Sequence, residues 1–175
     1  MAVKFDEYDR KKVITELEKS FHVKLSPIGR RRKYLRDATG RRYCVFGGYE
    51  DWHGIPEEIV EEEENLGGDS VLVIAKKYKQ TIDIYYGTLK ELIEGKDRLA
   101  FTKDRQYEFN IRIQGARLFI REIPGFSLKK LGEATYSETE KANHKTDDEL
   151  LVIFQSLSPE KKEELLRQLS TTLEI

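Results

Sequence analysis

The sequence holds one cysteine, one tryptophan, one methionine and four prolines in 175 residues. A lone Cys44 permits no internal disulfide, and no zinc site built on several Cys or His ligands at short spacing. A reducing, cytoplasmic setting is the expectation that follows. Apolar runs are short. The longest, residues 71–75 and 150–154, hold five residues each, where a membrane-spanning helix needs about twenty, so no membrane partner is expected. Residues 1–7 are charged and lack the apolar stretch of a secretory signal. Asn and Gln together number only eight. Few labile side chains amid dense charge resemble the composition of thermophile proteins.

Motifs are equally scarce. There is no Gly-rich phosphate loop ending in Lys-Ser or Lys-Thr, no dinucleotide fingerprint, no Gly-x-Ser-x-Gly elbow and no His-Glu-x-x-His. His22, His53 and His144 are too far apart to form a local ligand pair. No cofactor and no metal site is assigned, and no catalytic residue either.

What the chain does have is charge, at 36% of its residues against about 25% in an average globular protein. The net value of -1 conceals a sorting along the chain. Residues 1–48 carry a balance of +7, residues 49–70 a balance of -9 with no base at all, residues 71–132 a balance of +6, and residues 133–175 a balance of -5. Such a chain presents local potentials of both signs over a weak overall field. The densest basic stretch comprises Arg30, Arg31, Arg32, Lys33, Arg36, Arg41 and Arg42. The acids Glu57, Glu58 and Glu61 to Glu64 follow closely. Either these acids lie over the basic stretch or the basic stretch meets an external anion. Surface ion pairs add only about 0–1 kcal/mol each, so stability alone is a thin reason for the arrangement.

Periodicity predicts an α+β fold: an N-terminal helix, a mostly antiparallel β-sheet with a short inserted helix, and a C-terminal helical pair. Val13, Ile14, Leu17 and Phe21 share one helical face within residues 6–21. Residues 26–29 read as a turn, residues 32–37 and 41–46 as a hairpin, and Gly47-Gly48 as the break that ends its second strand. A short acidic helix begins at Pro56 and stops before Gly67. Residues 71–75 read as a strand buried on both faces, residues 81–86 as an alternating strand, and Thr88 as the cap of a short helix ended by Gly95. Tyr107, Phe109, Ile111 and Ile113 alternate into a second hairpin. With Gln114-Gly115 as its turn, Arg112 lies opposite Arg117, Asn110 opposite Phe119 and Glu108 opposite Arg121. Residues 1–132 make the core domain, 133–146 a polar linker or long loop, and 147–175 two helices packed on the core.

Three readings of function follow. The leading one is a small binding protein rather than an enzyme, taking DNA or RNA through the basic hairpin and a second face holding Arg112, Arg117 and Arg121 beside Phe119. Arginine next to an exposed aromatic suits a phosphate backbone and a stacked base. The first alternative is a metal-dependent nuclease. It rests on the loop Glu50-Asp51-Trp52-His53, which puts two carboxylates, an imidazole and the only tryptophan between glycines, with Asp51, Asp83 or Glu94 acting beside His53. The second is a protein-interaction module docking a partner through the acidic C-terminal helices. No oligomeric state is assigned.

Overall fold

In the computed structural model the described residues are 5–67 and 69–135, with positions 158 and 161 standing alone beyond them. The chain divides into Met1–Thr135 and Tyr136–Ile175, and every element named below belongs to the first part. The expected C-terminal helical pair, and all of the expected linker after Thr135, lie outside the described residues.

Helix α1 (Glu7–Phe21) starts at Asp6, whose carboxylate accepts from the Asp9 amide at 3.0 Å while Asp9 accepts from the Asp6 amide at 2.8 Å. This reciprocal cap satisfies two orphan donors of the first turn. Val13 and Leu17 are fully buried.

The strands are β1 (Ser26–Ile28), β2 (Arg31–Arg36), β3 (Arg42–Gly48) and β4 (Trp52–Pro56). After helix α2 (Glu57–Leu66) come β5 (Val71–Lys77) and β6 (Thr81–Thr88), then helix α3 (Leu89–Glu94). β7 (Ala100–Phe101), β8 (Gln106–Gln114), β9 (Arg117–Ile120) and β10 (Ser127–Thr135) complete the set. They form one ten-stranded sheet in the order β1-β2-β3-β5-β6-β10-β9-β8-β4, with β7 beside β8.

The α+β expectation is corrected here. Strand makes up 45% of the structure, and the sheet is mixed: β3 and β5 run parallel, Tyr43 to Gly48 against Val71 to Lys76. The other pairings are antiparallel. Three strands escaped the sequence pattern. β1 carries Pro27, and β4 carries Gly54 and Pro56, residues depleted in strands and tolerated at edges. β10 has a register shift between Lys130 and Gly132 that interrupts its alternation. β3 also runs through Gly47 and Gly48 rather than breaking there.

The second hairpin forms, in a register two residues from the expected one. Its turn is Gly115-Ala116, so Arg112 faces Phe119, Ile113 faces Leu118 and Gln114 faces Arg117. The like-charge clash of Arg112 with Arg117 is thereby avoided.

The sheet has two faces because side chains alternate across each strand. On one face Leu72, Ile74, Tyr85, Phe109, Ile111, Leu118 and Leu128 build the main core with Ile59 and Val60 of α2 and Leu89 and Leu92 of α3. On the other, Phe21 of α1 packs against Tyr43 and Tyr86, with ring centroids 5.9 and 5.3 Å apart. β4 ends the strand path at the side opposite β1 and β2, yet only residues 49–51 separate it from β3. Four Cα steps reach about 15 Å at most. The sheet therefore curls round its core until β4 returns beside β3, and the seam is where two sequence-predicted sites meet.

Candidate nucleic-acid interface

The acidic segment does lie over part of the basic hairpin. Glu62 of α2 meets Arg31 at 2.5 Å and Glu63 meets Arg42 at 2.6 Å. The same helix reaches Arg105 through Glu57 at 2.5 Å, and Lys96 through Glu64. Glu63 is wholly buried and also accepts from the Tyr34 hydroxyl. Burial pushes its carboxyl up, but the hydrogen bonds from Arg42 and Tyr34 outweigh that and hold it below the usual glutamate range. Although Arg42 also lines the groove described below, both Arg31 and Arg42 are therefore already engaged by α2.

The remaining cations of the hairpin are not. Arg30, Arg36 and Arg41 are exposed and make no ion pair among the described residues. Arg32 is 77% exposed and only grazes Glu7 at 3.6 Å. Lys33 sets its ammonium 5.7 Å from the Phe46 ring centroid, where partial desolvation, then Arg10, lowers its pKa.

The basic hairpin and strand β10 meet at one groove. The hairpin turn at Thr39, Gly40 and Arg41 and the β10 residues Ser127 and Lys129 line a space of about 870 Å³, together with the acids Asp69 and Glu91. Arg117 donates to Ser127 Oγ at 2.9 Å, which ties it to the groove's rim. Lys129 sits opposite Arg117 across β9 and β10. Next along the same sheet face, Arg112 lies over the Phe119 ring at 5.7 Å. Arg121 is exposed beyond the end of β9. None of the Arg112, Arg117 and Arg121 side chains is paired with α2, whose partners are named above. Lys129 escaped the sequence reading because β10 itself did; its only signal was the alternation of Ser127 with Lys129.

The loop Glu50-Asp51-Trp52-His53 divides. Asp51 pairs with Lys76, Nζ to Oδ1 at 2.6 Å, and Lys76 also donates to the Tyr49 carbonyl at 2.5 Å. Asp83, opposite Lys76 across the sheet, pairs with Lys130 at 2.8 Å. Glu94 is exposed at the last turn of α3. Among the described residues no three His, Cys, Asp or Glu side chains come together where they could hold a metal ion, so the residues of the nuclease reading are not convergent.

Glu50, Trp52 and His53 instead line a second cleft, of about 540 Å³, at the seam between β3 and β4. Two close approaches shape it. A Cβ at Gly47 would lie 2.3 Å from the Phe5 ring, and one at Gly54 would lie 2.4 Å from Gln106 Oε1. Glycine at both positions lets these side chains rest against bare backbone.

The chain matches no known protein family, no curated protein and no solved structure. No helix among the described residues is long and apolar enough to cross a membrane. The groove and the cleft are then to be understood from their own chemistry.

Proposed function

We propose that the protein binds single-stranded nucleic acid along the groove between the β2–β3 turn and β10. The observation that carries this reading is the convergence of Arg41 and Lys129 on one groove, with Arg117 at its rim and Arg36 on the adjoining strand. These groups would neutralise phosphates, and the Arg112–Phe119 pair offers a surface for a base. Single strands suit a sheet surface with arginines and aromatics side by side, because unstacked bases can lie against it. A net charge of -1 argues for a local footprint rather than a wholly basic domain. The lone thiol, buried at Cys44, is compatible with a reducing cytoplasm, the compartment we assign.

Anisotropy titrations of labelled single-stranded DNA and RNA at two or more salt concentrations test the reading. Binding should fall steeply with salt through counterion release. Replacing Arg41 and Lys129 by Gln should lower the salt slope by about two units. Absence of binding to any strand at low salt would refute the proposal.

A further inference from the structure

The cleft at the seam has a composition unlike the basic groove. Its walls are aromatic and its polar groups are few. Trp52 and Tyr49, both among its lining residues, are 45% and 42% exposed, so their rings are open to a ligand in the cleft. Deeper, His53 stacks on Phe109 with centroids 6.0 Å apart. His53 is 6% exposed, and its Nε2 is buried with no hydrogen-bond partner among the described residues. Buried polar atoms without partners are rare, and each calls for an explanation. Burial, with Lys76 adding to it, draws this imidazole down to about 4. It is thus neutral at pH 7 and able to offer a hydrogen bond without carrying charge into the site.

Beside it stand the Gln106 amide, which supplies both donors and an acceptor, and the exposed Glu50 carboxylate, which accepts only. Lys33 lines the same cleft and supplies a cation at its edge. A volume of about 540 Å³ falls within the roughly 300–1,000 Å³ typical of small-molecule sites. The complement of these features is a flat ring with a mixed donor and acceptor edge, joined to an anion.

We infer that this cleft is a nucleobase-binding site, in which the ring stacks on Trp52, its polar edge meets His53 and Gln106, and the attached phosphate meets Lys33. The inference extends the proposed strand-binding function, on which it rests. Lys33 of β2 lines the cleft, and Arg42 at the start of the paired strand β3 lines the groove, so a nucleic-acid strand crossing the hairpin could place one base in the cleft.

Trp52 is the only tryptophan, so its fluorescence reports on this cleft alone. Each of the four nucleoside 5′-monophosphates is titrated against the protein, with ribose 5-phosphate as the control that lacks a base. A short oligonucleotide and an abasic strand of equal charge are then compared. At least one nucleotide should change the Trp52 emission saturably, ribose 5-phosphate should not, and the base-bearing strand should bind at least several-fold more tightly than the abasic one. Trp52→Ala should weaken nucleotide binding about tenfold or more by calorimetry. Gln106→Ala should weaken it several-fold, with melts showing both variants folded.

No emission change with any nucleotide or base-bearing strand would overturn the base site. So would equal responses to nucleotides and ribose 5-phosphate. If both strands bind equally and silently, the base site fails while the strand-binding reading survives. If nucleotides bind in the cleft but no strand binds at all, the base site stands and the strand-binding reading fails.

Discussion

The Arg42 guanidinium and the Glu63 carboxylate meet at 2.6 Å, with the Glu63 side chain fully buried and the Arg42 side chain 21% exposed. This contact separates the structural arginines of the hairpin from those free for an external anion. Removing one partner of a buried pair strands the other, at a cost of roughly 3–5 kcal/mol. Arg42→Ala should therefore lower unfolding stability toward the lower end of that range, since Arg42 retains some solvent. Arg36→Ala, at an exposed position, should change it by less than about 0.5 kcal/mol. Urea titration of the two variants checks both values, and a larger loss for Arg36→Ala than for Arg42→Ala would contradict the assignment.

Nucleic-acid binding should respond in the opposite pattern. Arg41→Gln with Lys129→Gln should leave the melting temperature near that of the parent and reduce the salt slope. Arg31→Ala should lower the melting temperature and leave the slope unchanged, because Glu62 already holds that guanidinium at 2.5 Å. A thermal melt run beside each titration distinguishes the two classes of arginine.

His53 makes stability depend on pH. Its pKa is about 4 in the folded chain and about 6.5 when unfolded. Between these values the unfolded chain binds the extra proton, so stability is complete above about pH 6.5 and falls as the pH drops toward 4. The full loss is about 3 kcal/mol. Below about pH 4.5 the depressed Glu63 carboxyl adds to the decline, since its protonation breaks the contacts of the charged form. Replacing the imidazole by a non-titrating amide, His53→Gln, should flatten the profile between pH 6.5 and 4. An unchanged slope in that variant would refute the assignment.

Cys44 is fully buried, and burial pushes its thiol up from the usual range. Thiolate is the reactive form, so a thiol reagent should modify the native protein only as fast as the chain opens. In urea above the unfolding midpoint the reaction should be rapid. Fast labelling of the native protein would show that β3 opens locally.

The elements the sequence made legible are those whose side-chain pattern agrees with their backbone. Residues 6–21, the first hairpin, the buried run at β5 and the alternation of β8 all follow from period and capping. β4 did not, because Gly54 and Pro56 read as loop residues, and only pairing with β8 gives them a strand. The register of the second hairpin was also out of reach. A shift of two residues keeps the same side chains on the same face, so hydrophobic alternation cannot choose between the alternatives, and the choice falls to the Arg112–Phe119 contact and the position of the turn. For the candidate site, the exposed arginines were legible as charge. Their division into spent and unspent groups depended on how α2 lies, and the convergence of Arg41 with Lys129 depended on a strand that was not foreseen.

β8 is shared. Its first half pairs with β4 and β7 and its second half with β9, and at the junction the Ile111 amide donates to the Asp51 carbonyl at 2.7 Å. A strand held in common leaves no line along which the sheet can part into independently melting halves. Hydrogen exchange should show it as a spine: the amides from Phe109 to Ile113 should open only with global unfolding, while those of the three-residue β1 and the two-residue β7 fray at much lower free energy.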